Sequence, residues 1–417
     1  MMKLDIGIGQ GTQPVEIPDK NLLKVLQANP LTHELTGEDE VKRALSSPIG
    51  TPRLKEIVHP DEKIAIVTSD ISRPMPTHVV MPALLDELYE AGCKKEDITL
   101  VFALGSHRKQ TDEERRKLAG DRAYEEITCI DSDADNTVHL ADTPHGTPID
   151  IDRVVAEADR RICLGNIEFH YFAGYSGGIK AIFPGCSTRE AIQANHSMMV
   201  EDAACAGNLN HNPVRDDLEE MTKYLSVDFI LNVVLDEHKH IVKGFAGDIQ
   251  KAHREGCRYL DQMYAVSIPK RADIVIVSQG GAPKDLNLYQ TQKALDNAKH
   301  AIADGGIIVL VGSCKEGLGE HTFEEWLTGA EKSEELITRV REDFKLGGHK
   351  AAAIAMVLQK ARIFLVSDME DDFVRTIFME PYHTVQEAFD EAMKIKGQDA
   401  GVIVMPFGGS TLPKVEN

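Results

Sequence analysis

The chain has 417 residues, of which 42% are hydrophobic and 27% charged, and its formal net charge is -21 at pH 7. One hydrophobic core rarely accommodates such a length, so we expect two domains. The negative charge argues against a nucleic-acid or anionic-membrane partner, although a pocket on an acidic protein can still be locally basic.

Apolar and cysteine patterns predict a cytoplasmic location. The sequence contains no apolar run of roughly 18 residues, and its beginning lacks the apolar core of a signal peptide. Its seven cysteines are odd in number, and none are in CxxC spacing. A disulfide framework and a zinc ribbon are therefore not expected.

Short apolar runs followed by polar loops predict a largely parallel sheet in the first part of the chain. The runs cover residues 64–67, 98–104 and 162–164, and a helix is predicted over 76–91. Residues 227–248 contain two apolar runs around a polar turn, which predicts an antiparallel hairpin at a sheet edge.

A second alternation begins near residue 271. Strands are predicted in ADIVIVSQGGAP, GGIIVLVGSC, ARIFLVSDM and AGVIVMPFGG, and helices over 285–302 and in TVQEAFDEAMKIKG. We therefore predict an α/β protein with two domains of mostly parallel sheet, 1–268 and 269–402, the second Rossmann-like. Residues 403–417 are expected to pack back on the first domain. The active site is expected in the cleft between the domains.

Chemically active side chains follow each of the first three predicted strands. Asp70 and Arg73 follow the first strand, His107 the second and His170 the third. Because ligands bind at the carboxyl ends of strands in open α/β sheets, these residues predict one shared site. Each group also has a purely structural alternative. Asp70 and Arg73 could form an ion pair in a surface turn, His107 could be a solvated loop residue, and His170 could be a hydrogen-bonded core histidine.

A Gly-rich loop, GYSGGIKAIFPG, comes after the third strand. It contains Gly177, Gly178 and Lys180, and His196 follows on a predicted helix that Ser187 caps in a capping box. The glycines permit a close approach to a planar group or a phosphate. The loop matches neither the P-loop nor the Rossmann fingerprint. The structural alternatives are that Lys180 is a solvated lysine and that His196 is simply exposed on its helix.

The second domain offers two further groups. Tyr289, Gln290 and Lys293 lie within one predicted helical turn, where an amide and an ammonium could hold a carboxylate. An exposed helix face is the alternative. In LGGHKAAAIA a glycine pair predicts a turn before a helix, and His349 and Lys350 stand at the helix start. Cations there oppose the helix dipole, which hints at a function.

The ordered motifs SDISRP, GSHR, EFH, GYSGGIKAIFPG, NHSMM and YQTQK resemble the nickel-dependent lactate racemase family over nearly the whole chain. The resemblance implies a 2-hydroxy-acid racemase or epimerase with a nickel-pincer nucleotide. This cofactor is a pyridinium-3-thioamide-5-thiocarboxylic acid mononucleotide that holds Ni²⁺ through sulfur and a ring carbon. Reversible hydride transfer to it would pass through a planar 2-keto acid.

The resemblance also implies a role for each matching residue. His107 and His170 match the acid/base histidines, Lys180 the lysine that tethers the cofactor, and His196 the nickel ligand. Cofactor contacts are expected from Asp70, Gly177, Gly178 and Tyr289, and substrate contacts from Arg73, Gln290, Lys293, His349 and Lys350.

Substrate choice is predicted from one departure. Lactate-specific members have a tryptophan near the substrate in the second domain, whereas Trp326 here stands earlier in the chain and GGHKA occupies that region. The departure argues against strict lactate specificity, because Lys350 or His349 could enlarge or recharge the pocket. The expected substrate is a lactate-like 2-hydroxy acid, with malate or another 2-hydroxy acid as an option. The expected partners are this substrate, transiently the proteins that build the cofactor and, as an open option, a second copy in a homodimer.

Two other functions fit part of the pattern. A zinc hydrolase could use His107, His170 and His196, although HExxH is missing from the sequence. A non-enzymatic protein that binds a small anion between two lobes needs carboxylate clamps. It does not need two histidines and a Gly-Lys loop.

Overall fold

A computed structural model describes residues 1–236 and 238–416. The chain divides into two compact units. Leu31–Asp261 form the N-terminal unit, and Met1–Pro30 with Gln262–Asn417 form the C-terminal unit. None of the helices within the described residues has the length and apolar character needed to cross a bilayer.

The strands alternate with helices along most of the chain. The strands are β1 Met2–Ile8, β2 Gly11–Ile17, β3 Leu22–Val25, β4 Ile64–Ser69, β5 Ile98–Ala103, β6 Thr128–Asp131, β7 Thr137–Asp142, β8 Pro148–Asp152, β9 Arg160–Asn166, β10 Phe169–His170, β11 Gly174–Tyr175, β12 Phe229–Leu235, β13 Ile241–Gly247, β14 Ala265–Ile268, β15 Ala272–Ser278, β16 Ile302–Val311, β17 Ala361–Val366, β18 Glu380–Tyr382, β19 Val402–Met405 and β20 Leu412–Val415. The α-helices are α1 Gly37–Ser46, α2 Leu54–Ile57, α3 Thr77–Glu90, α4 Asp112–Ala119, α5 Asp121–Glu126, α6 Arg153–Glu157, α7 Arg189–Ser197, α8 Pro213–Glu220, α9 Lys251–Tyr264, α10 Leu288–Ala298, α11 His321–Gly329, α12 Ser333–Glu342, α13 Gly348–Leu358, α14 Asp371–Thr376 and α15 Val385–Lys396.

The N-terminal unit is built on a six-stranded sheet of order β13-β12-β9-β4-β5-β6. All its pairings are parallel except the one between β12 and β13. The three predicted strands, the helix α3 and the antiparallel hairpin at the sheet edge are therefore confirmed. Glu237 in the turn of that hairpin lies outside the described residues.

Apolar side chains from this sheet and from α3 form the core of the N-terminal unit. Ile66 on β4, Leu100 on β5, Leu164 on β9 and Leu84 on α3 are all fully buried. Burial of such side chains stabilises the fold by roughly 1.5–3 kcal/mol each. Their packing holds the ends of the strands in place.

Strand β4 occupies a position that favours a ligand site. Its neighbours are β5 and β9, so the chain crosses the sheet in opposite directions on its two sides. Ligands of open α/β sheets bind beyond the carboxyl ends of strands at such a switch point. The loops after β4, β5 and β9 carry the predicted acid/base and cofactor residues.

The C-terminal unit is built on a parallel sheet of order β18-β17-β16-β15-β19-β3. The four strands predicted from residue 271 onward are present as β15, β16, β17 and β19, and the predicted helix TVQEAFDEAMKIKG is α15. The predicted helix over 285–302 is shorter, because the Asn287 side chain caps α10 by accepting the N–H of Gln290, and the helix ends at Ala298.

The grouping of the chain ends differs from the predicted domain bounds. Residues 1–30 were assigned to the first domain, but β3 pairs with β19 and so belongs to the C-terminal unit. Residues 403–417 were expected on the first domain, whereas β20 pairs with β14 in the C-terminal unit. Asn417 lies outside the described residues. Pairing between strands distant in sequence decides both assignments.

Candidate active site

Asp70 and His107 meet where β4 and β5 end. Nδ1 of His107 lies 2.7 Å from Oδ2 of Asp70, and the Ser72 hydroxyl donates to Oδ1 of Asp70 at 2.7 Å. Burial acts to raise the pKa of Asp70, but the hydrogen bonds from His107 and Ser72 outweigh it and lower the pKa. The carboxylate is therefore ionised and accepts the Nδ1 proton of His107, which directs Nε2 to other partners.

Arg73 lies one turn after Asp70. Its backbone N–H donates to the Asp70 carbonyl at 3.2 Å, and its side chain is exposed. The guanidinium charge acts on His170 and Lys180, whose pKa values it helps to lower. The structure therefore brings this cation near the residues that follow β9.

His170 ends the short strand β10, which pairs with β11. The backbone N–H of Ala173 donates to Nδ1 of His170 at 3.2 Å, so the proton of the neutral ring is on Nε2. Burial lowers the pKa of His170 well below its ordinary value, and the positive charges of Arg73 and Arg215 act in the same direction. At neutral pH the ring is therefore uncharged.

Lys180 is part of a one-turn 3₁₀ helix, Gly178–Ala181. Burial lowers its pKa well below the ordinary lysine value, and the nearby charges of Arg215 and Arg73 act in the same direction. A neutral amine is nucleophilic, whereas an ammonium ion is not. The environment of Lys180 therefore suits covalent chemistry better than an ion pair.

Gly177 and Gly178 both have positive φ, at 74° and 62°. A Cβ on Gly177 would come within 2.7 Å of Oδ1 of Asn232, and one on Gly178 within 3.0 Å of the His253 ring. Oδ1 of Asn232 also accepts the Gly178 N–H at 2.7 Å. Close packing against these two side chains accounts for the glycines.

His196 lies near the end of α7. Its Nδ1 is 2.9 Å from Oδ1 of Asn195. The predicted cap is wrong by one residue, because Thr188 accepts the N–H of Ala191 at the helix start. The Ser187 hydroxyl instead donates to the Asp150 carbonyl at 2.7 Å. The tertiary contact of Ser187 thus displaces the capping box.

Phe172 stands between the predicted catalytic, tethering and metal-binding residues. Its ring centroid is 4.5 Å from that of His170 and 4.8 Å from that of His196. Nζ of Lys180 is 5.9 Å from the same centroid. His170, Lys180 and His196 are therefore assembled around one buried aromatic ring.

Helix α8 supplies residues that the sequence analysis missed. The fully buried Arg215 donates through Nε to the Ala173 carbonyl at 3.2 Å and through Nη2 to the Tyr175 carbonyl. Asn212, the N-cap of α8, donates to the Phe172 carbonyl at 2.8 Å. These bonds hold the turn that carries His170.

The sequence carried a partial signal for this helix. Asn212 before Pro213 is a typical helix start, but Arg215 resembles any surface arginine of an amphipathic helix. Asn232 was detectable as a polar residue in the apolar run FILNVVL. Only the fold reveals the carbonyls and N–H groups that these side chains bind.

In the C-terminal unit, Tyr289 and Lys350 are in contact. Nζ of Lys350 donates to the Tyr289 carbonyl at 2.6 Å and lies 3.8 Å from the centroid of its ring. Lys350 is buried, with 6% of its surface exposed. Gln290 and Lys293 on α10 are both exposed, as expected for neighbours on one helix face.

His349 and Trp326 flank the start of α13. Nδ1 of His349 accepts the Gly347 N–H at 3.0 Å, and its ring lies against Phe344. A Cβ on Gly348 would lie 2.4 Å from the Trp326 ring. Trp326 therefore packs against the GGHKA segment despite its earlier position in the chain.

Among the described residues, no group of three or more His, Cys, Asp or Glu side chains is arranged to hold a metal ion. His107, His170 and His196 thus do not form a three-histidine site in these residues.

Comparisons with known proteins agree with this arrangement. The lactate racemase N-terminal domain family matches residues 8–207, and the lactate racemase C-terminal domain family matches residues 268–412. The lactate racemase of Thermoanaerobacterium thermosaccharolyticum is 32% identical, covering 99% of each chain. That of Lactiplantibacillus plantarum is 33% identical, covering 99% of this chain and all of the relative.

Solved structures show the same relationship. The lactate racemase apoprotein of Thermoanaerobacterium thermosaccharolyticum matches with a TM-score of 0.89 at 32% identity, covering 99% of this chain and 100% of that chain. A Thermotoga maritima protein, 20% identical and covering 94% of this chain, shares the fold with a TM-score of 0.64. The chain therefore belongs to the lactate racemase family and is an isomerase.

Proposed function

We propose that this protein racemises or epimerises a 2-hydroxy acid with a covalently tethered nickel-pincer nucleotide. The observation that carries the proposal is the cluster of His170, Lys180 and His196 around Phe172. Family membership supports the reaction class and argues against the zinc-hydrolase and non-enzymatic alternatives.

The residues present fit this cofactor. The lowered pKa of Lys180 provides a neutral amine for a thioamide link to the nucleotide. His196 provides an imidazole, a good nickel ligand. The scarcity of other grouped metal ligands among the described residues suits a nucleotide that contributes its own sulfur and carbon ligands. When bound, the nickel-pincer nucleotide supplies a reversible hydride acceptor.

His107 is proposed to accept the proton of the substrate hydroxyl. Its Nδ1 donates to Asp70, so Nε2 of the neutral ring holds the lone pair that takes this proton. The resulting imidazolium is stabilised by the Asp70 carboxylate. Racemisation requires this proton to return after the planar 2-keto acid has formed.

His170 is proposed to be the second acid/base group for the same substrate oxygen. Its neutral ring carries the proton on Nε2, because Nδ1 accepts the Ala173 N–H. His170 can return a proton to this oxygen only after its ring has first accepted one, and its lowered pKa then makes the imidazolium a stronger acid than an ordinary one. The two histidines therefore begin in opposite tautomers: Nε2 of His107 can accept a proton, and the Nε2–H of His170 can donate a hydrogen bond to the substrate oxygen.

The carboxylate of the substrate needs cationic partners. We propose Arg73 for this role, since its exposed guanidinium follows Asp70 and its charge reaches His170. Gln290 and Lys293 are proposed as further substrate contacts, supported by their exposed positions on α10. Asp70 and Tyr289 are proposed to contact the cofactor.

The substrate is proposed to be lactate-like, with malate as the second candidate. The buried Lys350 ammonium favours a substrate with a second carboxylate, such as malate. His349 is proposed to contact the same carboxylate. Trp326 packs against Gly348 in the GGHKA segment. Lactate-specific members of the family have a tryptophan near the substrate, so this contact favours lactate. Racemase assays with lactate, malate and larger 2-hydroxy acids separate these candidates. Turnover of lactate alone would exclude malate.

Mass spectrometry and metal analysis test the cofactor. Protein produced together with the cofactor-biosynthesis proteins should carry a covalent adduct on Lys180 and one bound nickel ion. Lys180→Arg, which keeps a long basic side chain but removes the amine nucleophile, should carry no adduct. Active wild-type protein with unmodified Lys180 and no nickel would contradict the proposal.

We further propose a cytoplasmic location, supported by seven cysteines that form no disulfide among the described residues. Transient binding of the cofactor-biosynthesis proteins remains a prediction, and a homodimer remains an open option. Size-exclusion chromatography with light scattering tests the homodimer directly.

A further inference from the structure

The Asn195 side chain is fully buried within α7, where a polar amide needs partners. Its Nδ2 lies 3.0 Å from the Val214 carbonyl and 2.9 Å from Oδ2 of Asp217, both on α8. A backbone carbonyl only accepts hydrogen bonds, so the amide NH₂ must face Val214. The orientation of the amide is therefore determined by its surroundings.

This orientation has a consequence for His196. Oδ1 of Asn195 is left facing Nδ1 of His196 at 2.9 Å. Because an amide oxygen only accepts, Nδ1 of His196 must carry the proton. In the neutral ring, Nε2 then has the lone pair, and only an unprotonated ring nitrogen binds a metal ion.

We propose that Asn195 is a positioning residue that fixes the tautomer of His196 and thereby presents Nε2 to the nickel ion. The nickel part of this inference rests on the proposed function, whereas the tautomer is a property of the protein alone. Helix α8 holds the Asn195 amide in this orientation through Val214 and Asp217. Asp217, which binds Asn195, also accepts a hydrogen bond from Thr143.

Two substitutions separate positioning from structural support. Asn195→Leu and Asn195→Asp both remove the NH₂ group that Val214 requires, so both disturb packing. In Asn195→Asp the new carboxyl group faces the buried Asp217 carboxylate, so this pair takes up a proton and the remaining carbonyl oxygen still accepts. Only Asn195→Asp keeps an oxygen that accepts from His196. A purely structural role predicts similar behaviour of the two variants, and a positioning role predicts different behaviour.

The tautomer can be read from the cofactor-free chain by long-range ¹H–¹⁵N correlation after histidine labelling. Spectra are recorded above the ordinary histidine pKa of ~6.5, and His196→Gln identifies the signal. We expect Nδ1–H in wild type and Asn195→Asp, and a shift towards Nε2–H in Asn195→Leu. Thr188→Ala, which removes the cap of the same helix, should leave the tautomer of His196 unchanged. The signal of His170 should stay the same in all these variants.

The outcomes distinguish this inference from the proposed function. Nε2–H in wild type, or Nδ1–H retained in a folded Asn195→Leu, contradicts the role of Asn195. In protein loaded with cofactor, nickel affinity should fall by about 10–100-fold in Asn195→Leu and be largely kept in Asn195→Asp. Wild-type protein without nickel contradicts the proposed function, whatever the tautomer.

Discussion

Nδ1 of His107 donates a hydrogen bond of 2.7 Å to the buried carboxylate of Asp70. The two residues are 37 positions apart in the chain and meet because β4 and β5 are paired in parallel and end at the same sheet edge. An ionised carboxylate can only accept, so this contact selects the tautomer of His107. The arrangement supports a proton-accepting Nε2.

Asp70→Asn should lower kcat by about 10²–10⁴-fold, as loss of a general base does. The amide can offer its NH₂ to Nδ1, which moves the His107 proton to Nε2 and blocks proton acceptance. KM should change little if Asp70 acts through His107. Asp61→Asn, an exposed carboxylate in a different loop, serves as the control. An unchanged kcat in Asp70→Asn would refute the role.

His107→Ala and His170→Ala should each abolish measurable racemisation while the Lys180 adduct and the nickel content stay at wild-type levels. Each substitution removes one proton carrier without removing the tether or the metal ligand. Chiral chromatography of the substrate, run beside intact-mass and metal analysis, checks both parts. Loss of nickel in either variant would instead point to a role in cofactor binding.

His196→Ala should retain the Lys180 adduct but lose nickel on dialysis. The imidazole is the proposed protein ligand, and its removal leaves the metal to the nucleotide alone. Gln193→Ala, an exposed position on the same helix, is the matched control. Equal nickel retention in the two variants would show that His196 is not a ligand.

Lys180→Met should stabilise the cofactor-free protein at neutral pH. The pKa of Lys180 is lowered in the folded state, so the unfolded chain binds a proton there that the native state does not. This difference favours unfolding below the ordinary lysine pKa of about 10.4 and vanishes above it. The gap between the two melting temperatures should therefore shrink as pH rises from neutral towards that value. A gap that stays constant with pH would show that Lys180 folds in its charged form.

Arg215→Lys should destabilise the fold by about 1–3 kcal/mol, because a lysine loses at least one of the buried hydrogen bonds that Arg215 donates to the carbonyls of Ala173 and Tyr175. It should also reduce kcat, since a displacement of about 1 Å at a catalytic group costs up to about 10²-fold. Thermal unfolding and steady-state kinetics measure the two effects. Arg258→Lys on the exposed face of α9 is the control. A destabilised variant with full kcat would limit Arg215 to a structural role.

Local sequence pattern was sufficient for the strands and for the order of the site loops. The apolar runs before Asp70, His107 and His170 predict buried strands, and parallel strands place their carboxyl ends together. The glycine pair at Gly177 was also visible in the sequence. The packing of Asn232 and His253 against this pair was not visible, because these residues lie on β12 and α9, far along the chain.

The sequence by itself determined the α/β class, the strand ends that carry the site and the resemblance to a family, because these depend on local periodicity and ordered motifs. Only the tertiary structure decided which groups orient the functional side chains. Asn195 depends on the Val214 carbonyl, and Arg215 on carbonyls about forty residues away. It also decided that residues 1–30 belong to the C-terminal unit, through the pairing of β3 with β19. Backbone carbonyls bind any suitable donor, so no local sequence signal predicts which distant side chain will reach them.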